Sequence, residues 1–215
     1  MHLKRQKTPK SWPIYRKGTA YIVRGKNMQK GIPVLIIIRD MLKIAKDRRE
    51  AKIALNSKKI LLNGKIVKDE KNSATLLDVI TVVPSKEHYR LILNEKGKFA
   101  MEKEKEEKAL KKISKVENKK MMKNKKIQLN LLDGRNFLSD IKCRTNDSVI
   151  INLKDNKIEK CLELKEKSNA LVIGGKHSGM KGTIIKVDEK HSMIQLKREN
   201  GEDINVLIKQ IMVIE

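Results

Sequence analysis

The chain has 215 residues, 39% of them apolar, and carries 50 Lys and Arg against 26 Asp and Glu, a formal charge of +24. That length accommodates one large domain or two to three small ones, and so much like charge repels itself in isolation and points to a polyanionic partner, nucleic acid first. No run approaches the ~20 apolar residues of a transmembrane helix, and the cations do not line one amphipathic helix as surface anchors do, so no membrane partner is expected.

From Met1 to Lys30 there are nine Lys or Arg and no acid. The opening MHLKRQKTPK is basic but is followed by no apolar run of the signal-peptide kind, so no secretory signal is read. Residues 1–32 are expected to form a basic N-terminal arm, extended until a polyanion neutralises it. His2, Lys4, Arg5, Lys7 and Lys10 are its expected RNA contacts. Trp12, with Tyr15, is expected to pack on a neighbouring domain or to stack on an exposed base. With only one Trp, three Tyr and two Phe in the chain, stacking cannot be the main grip, and recognition of phosphate and shape fits better.

A first module is expected over 33–84. PVLIIIRDMLKIA begins with proline, which suits the first turn of a helix because its missing N–H has no partner to lose there. Asp47 with Glu50 three places on reads as a capping-box start for a second helix, DRREAKIALNS. Ala51, Ala54 and Leu55 give that helix an apolar stripe and leave Arg48, Arg49 and Lys52 largely on the other side, near an N-terminus whose dipole favours phosphate. Arg39 and Lys46 complete the basic set of the helical part. KKILLNGKIVKD predicts a hairpin turning at Asn63-Gly64, a dipeptide that tolerates positive φ at both central positions. Asn63 and the cations near the turn, Lys58, Lys59, Lys65 and Lys68, join the expected RNA contacts. LLDVITVV reads as a buried strand from its β-branched content.

Residues 85–167 are expected to form a small central β domain joined through a charged segment. MEKEKEEKALKKISKVENKK places Glu and Lys at helical i,i+4 spacing, so the stretch from 100 to 126 reads either as a solvated helix or as disordered. IQLNLLDGRNFLSDIK predicts a hairpin at Asp133-Gly134, and SVIINLKDNKIEKCLELK predicts two strands turning at Asp155-Asn156. Cys143 and Cys161 have no Cys or His near them in ligand spacing, so neither a zinc site nor a disulfide framework is expected, and reduced, cytosolic thiols are the default.

In residues 168–215 charge is nearly balanced, seven cations against six acids. LVIGGKHSGMKGTIIKVD raises the possibility of a phosphate loop, since Gly174 and Gly179 have the required separation. Met180 stands where the lysine is needed, however, and TIIKVD reads as a strand where a helix should start. Nor does Gly174-Gly175 open a dinucleotide fingerprint. What remains is strand, glycine-rich turn, strand, with a further hairpin at Asn200-Gly201 and QIMVIE as closing strand: about five strands, an SH3-like barrel. His2, His88, His177 and His191 are scattered without a nucleophile partner, so no catalytic residue, metal, cofactor or small-molecule substrate is expected.

PVLIIIRDMLKIA, DRREAKIALNS, KILLNGKIVKD and LLDVITVV, in that order and spacing, resemble the small RNA-binding module called the S-four domain. HLKRQKTPKSW resembles the N-terminal signature of the archaeal and eukaryotic small-subunit ribosomal protein four family, through His2 to Arg5, Pro9 and Ser11-Trp12. LVIGGKHSGMKGTIIKVD looks like that family's KOW motif. The resemblance departs from the family between Trp12 and Pro33, where the connection is shorter. It implies an α+β, multidomain chain: an α/β S-four module, a central small β domain and a C-terminal SH3-like KOW β-barrel over 168–215, whose loop would approach RNA or protein through Lys176, His177 and Lys181. It implies a structural constituent of the small ribosomal subunit that binds ribosomal RNA beside neighbouring ribosomal proteins, cytoplasmic and not an enzyme. A free RNA-binding regulator of transcription or translation is the alternative. An RNA-modifying enzyme would need a catalytic half for which no segment is identifiable.

Overall fold

The computed structural model describes residues 3–122, 126–139, 141–188, 191–198 and 200–214. The chain is mostly β with few helices and divides into two compact units, its α-helices lying in the first as the α+β, multidomain reading has them. The first comprises Met1–Leu93 and Lys98–Leu110; the second comprises Asn94–Gly97 and Lys111–Glu215. Among the described residues no helix is long and apolar enough to cross a membrane.

In the first unit β1 (Leu3–Lys4) pairs antiparallel with β2 (Tyr21–Ile22), Leu3 opposite Ile22. After β3 (Gly31–Pro33) comes α1 (Val34–Ile36), which runs on as a π-helical turn, Ile37–Met41. Pro33 therefore sits one place before the helix instead of in its first turn. Every residue from Val34 to Ile38 is buried, as a helical stretch that is apolar all round requires. Then follow α2 (Arg48–Asn56), β4 (Ile60–Leu62), β5 (Lys65–Ile66), β6 (Ser73–Thr75), β7 (Val79–Val82), β8 (Glu87–Leu93), β9 (Phe99–Glu104) and α3 (Glu106–Ala109). β3 pairs with β6, and the main sheet has the order β5-β4-β7-β8-β9.

Asn63 and Gly64 have φ of 51° and 75°, the two left-handed positions of a tight hairpin turn. Neither bond of the expected box forms at the start of α2, and the Glu50 carboxylate reaches one residue further back instead. Asp47 makes no side-chain bond to the helix, while a Glu50 carboxylate oxygen accepts from the Lys46 N–H at 2.7 Å.

Two expectations are corrected in this unit. The basic arm is folded: Leu3 and Trp12 are buried in the same core as Ile32, Ile36, Leu55, Ile80 and Leu91, with Ile14, Ile22, Val23 and Met28 packed against it. The arm cannot build a core of its own, but its few apolar residues complete one supplied by the following segment. The boundary at residue 84 also fails. β8 pairs with β7 through a tight turn and β9 with β8, because the free edge of β7 offers a row of unpaired backbone groups that the next strands satisfy.

The second unit holds two five-stranded sheets. β10 (Lys111–Met121), β11 (Ile127–Leu131), β12 (Asn136–Ser139), β13 (Ser148–Asn152) and β14 (Lys157–Leu162) form one, in the order β12-β11-β10-β13-β14. Its core contains Val116, Leu129, Leu131, Val149 and Ile151. β15 (Asn169–Val172), β16 (Lys181–Asp188), β17 (Met193–Lys197), β18 (Asp203–Leu207) and β19 (Ile211–Val213) form the other, in the order β18-β17-β16-β15-β19, around Val172, Ile184, Ile194, Leu196 and Ile211. The turns at Gly134, Asn156 and Gly201 all have positive φ.

Across its described residues the Glu/Lys-rich segment is not one solvated helix: it is the end of β9, the single helical turn α3 and then a long strand. That strand is β10, whose first half pairs with β13 and whose second half pairs with β11. Helical ion pairs are worth a few tenths of a kcal/mol each, too little against a ladder on both edges and two lysines with internal partners. The Lys112 ammonium lies 2.6 Å from an Asp133 carboxylate oxygen. Lys115, only 3% exposed, donates to the carbonyls of Ile208 at 2.6 Å and Ile211 at 2.8 Å, tying β10 to the start of β19.

Burial pulls the Lys115 ammonium down to about 8 from its ordinary 10.5. Between those values the unfolded chain binds more protons than the folded one, so this residue's contribution to stability rises with pH across that window. Below about 8 the buried charge is carried at a cost, on the order of 3 kcal/mol at 1.36 kcal/mol per unit. Denaturant unfolding of the wild type and of Lys115→Met at pH 7 and at pH 10 checks this. The difference between them is expected to move in favour of the wild type at the higher pH, and a difference that stays constant refutes it.

Candidate nucleic-acid interface

Residues 3–22 form a closed loop because β1 and β2 pair at its base. Arg5 braces the loop from inside. Its Nε donates to the Thr19 carbonyl at 2.7 Å, one Nη to the Tyr15 carbonyl at 2.5 Å and the other to the Thr19 hydroxyl at 3.1 Å. A guanidinium satisfied in this way holds backbone in place and has little left for an outside phosphate. The loop bounds a cleft of about 1100 Å³ lined by Lys4, Arg5, Lys10, Arg16, Lys17 and Lys98 together with Trp12, Tyr15 and Tyr21. Among the described residues no acid lines it, and residues 1–30 contain none.

Of the expected arm contacts, Lys4, Lys7 and Lys10 are exposed. His2 lies outside the described residues. Trp12 is not a stacking surface: it is buried, and its indole N–H donates to the Gly31 carbonyl at 3.1 Å. Arg16, Lys17 and Tyr21 were missed by the reading of the sequence. The signal available was the absence of acids through residue 30, which marks the whole loop and not just its first ten residues.

The cations of the helical part divide into engaged and available. Arg39 grips Asp40 with both arms, at 3.0 and 2.8 Å, and this hydrogen bonding pushes its guanidinium still further from losing a proton. Arg48 is bonded through Nε and Nη2 to the buried Glu70, which likewise raises it, and Lys52 stands 4.0 Å from the same carboxylate. Glu70 is thus the buried counter-charge of α2, and Arg48 is first a partner to it. Arg49 and Lys46 are exposed with no side-chain ion pair among the described residues, as are Lys58, Lys59, Lys65 and Lys68 around the hairpin. Asn63 is not available: it is buried, its amide donating to Asp78 at 2.8 Å and accepting from the Val79 N–H at 3.0 Å. It clips the hairpin to β7.

In the second unit the glycine-rich turn joins β15 to β16. Ser178 donates to the Ile173 carbonyl at 3.1 Å, and the Gly179 N–H to the Val172 carbonyl at 2.8 Å. A side chain added at Gly179 would overlap the Asn94 carbonyl, so the turn at Asn94–Gly97 closes one side of the loop. Lys176 and Lys181 are exposed and His177 half-buried. Among the described residues no group of three or more His, Cys, Asp or Glu is placed to hold a metal ion. Cys143 and Cys161 are free thiols, and burial pushes both upward, away from the reactive thiolate.

Residues 85–158 match the family described as ribosomal family S4e. The chain is 34% identical to the small ribosomal subunit protein eS4 of Methanospirillum hungatei over 190 residues, 86% of this chain and 79% of that protein. It is 34% identical to the protein of the same name from Methanococcus aeolicus, over 99% of this chain and 93% of that one. Among solved structures, the crystal structure of the 30S ribosomal protein S4e from Thermoplasma acidophilum superposes with a TM-score of 0.75 at 28% identity, covering 86% of this chain and 95% of that one.

Proposed function

The chain belongs to ribosomal family S4e, and from that membership we propose that it is a structural constituent of the small ribosomal subunit, binding ribosomal RNA and supporting translation. Its partners are then ribosomal RNA and neighbouring ribosomal proteins, its place the cytoplasmic ribosome, and its role that of a scaffold and not of a catalyst. The observation that carries the mechanism is the acid-free cleft walled by cations on a loop that Arg5 already holds in shape. Phosphates entering it replace condensed counterions, and the loop needs little ordering to receive them.

The finer assignments belong to the same reading. α1, α2 and the sheet strands β4, β5 and β7 act as the S-four module, with Arg49, Lys46 and the hairpin lysines toward RNA. β15 to β19 act as the SH3-like KOW barrel, with Lys176 and Lys181 on the exposed side of its glycine-rich turn. The deep groove of A-form RNA is hard to read, so recognition is of backbone shape and single-stranded corners.

Binding of the full chain to small-subunit ribosomal RNA, measured across a salt series, tests this. Log affinity is expected to fall linearly with log salt. Replacing Lys4, Lys10, Arg16 and Lys17 together by Gln is expected to flatten the slope by about 3, at roughly 0.7 to 0.9 per phosphate contact. Point substitutions are required because removing the whole stretch takes Leu3 out of the core. Wild-type binding that does not change with salt defeats the mechanism.

A further inference from the structure

Tyr15 is 89% exposed and Tyr21 55% exposed, both line the basic cleft, and together they are the two most exposed aromatic rings in the described chain. A large ring held in water gains nothing for the fold. The backbone of Tyr15 is nevertheless fixed, because its carbonyl accepts from Arg5 and the loop is closed at its base by the pairing of Lys4 with Tyr21. The ring thus stands on a rigid platform in the same cleft as Lys4, Lys10, Arg16 and Lys17, with no carboxylate in residues 1–30 to repel a phosphate. A duplex presents its bases stacked inward and has no use for such a ring. An unpaired nucleotide presents both a free π-face and a phosphate on either side.

We infer that this cleft takes one unpaired nucleotide of the bound RNA, its base stacked on the Tyr15 ring with Tyr21 beside it and its flanking phosphates on the four cations. The inference rests on the RNA-binding reading above and adds the chemical class of the ligand at one subsite. It differs from the contact expected of Trp12, whose ring is in the core.

The test uses the full chain with two probes, a labelled single-stranded RNA and the fully paired duplex of the same strand, and three proteins: wild type, Tyr15→Ala and Tyr15→Phe. Tyr15→Ala is expected to weaken binding of the single strand by roughly 5- to 100-fold, as stacking on one base requires. Duplex binding and the salt slope are expected to stay unchanged. Tyr15→Phe keeps the π-face and should bind the single strand like the wild type. An exposed side chain leaves the fold intact, which unchanged thermal unfolding of Tyr15→Ala verifies. Loss of affinity equal for both probes, or for neither, overturns the stacking subsite while the RNA-binding reading survives. A wild-type chain that binds neither probe overturns both. Competition by poly-glutamate that Tyr15→Ala weakens by the same factor as it weakens the single strand would assign the cleft to an acidic protein segment and likewise overturn it.

Discussion

Replacing Asp133 by alanine is expected to destabilise the second unit by about 3–5 kcal/mol, the usual cost of removing one partner from a buried ion pair. The Lys112 side chain is 1% exposed and that of Asp133 5%, with 2.6 Å between ammonium and carboxylate. Once the carboxylate is gone, a charged group remains inside a sheet where water cannot reach it. Asp133 also shapes the turn between β11 and β12, its other oxygen accepting from the Arg135 N–H at 3.0 Å. Asp133→Asn separates the two roles, since it keeps that acceptor and loses the charge. Denaturant unfolding should find the asparagine variant nearly as unstable as the alanine one. The double variant Lys112→Met, Asp133→Leu should recover most of the loss, because well-packed apolar pairs commonly do as well as buried ionic ones. An asparagine variant with wild-type stability would mean that the turn, not the charge, needs Asp133.

That pair also shows where the sequence stops being legible. The turns are readable because their physics is local: Asn63-Gly64, Gly134, Asn156 and Gly201 take up the positive φ their residue types allow. β10 is not, because a string of lysines and glutamates looks solvated until the partners are known. Those of Lys112 and Lys115 lie 21, 93 and 96 residues away along the chain. Arg48 reads as a free phosphate ligand for the same reason, its counter-charge Glu70 being 22 residues on. Trp12 reads either as packed on a neighbouring domain or as stacked on a base, and composition cannot choose between them; the core around Ile32 takes the ring. Conversely, the cleft became visible only when the pairing of Leu3 with Ile22 folded Arg16, Lys17 and the two tyrosines to one place. The cationic composition indicated the kind of partner, while tertiary pairing decided which cations remain to meet it.

The glycine-rich turn offers the second large effect, through a graded series of alanine substitutions. At Gly174 the backbone is ordinary and nothing stands within 4 Å of an added Cβ, so Gly174→Ala should leave stability nearly unchanged. At Gly201 φ is +83° in open space. Gly201→Ala should therefore show the conformational penalty alone, about 1–2 kcal/mol. Gly179 combines φ of +89° with a Cβ that would overlap the Asn94 carbonyl, and its own N–H is anchored to the Val172 carbonyl at 2.8 Å. The Asn94 carbonyl accepts from the Gly97 N–H at 2.8 Å, so neither backbone can retreat without losing a bond, and Gly179→Ala should cost about 3 kcal/mol or more, a clear step above Gly201→Ala. Unfolding midpoints of the three variants measure the ladder. A Gly179→Ala variant no worse than Gly201→Ala would mean that the turn at Asn94–Gly97 is not seated on the loop. Its glycines would then be explained by the close approach of an outside partner, and the exposed Lys176 and Lys181 would flank the place where that partner arrives.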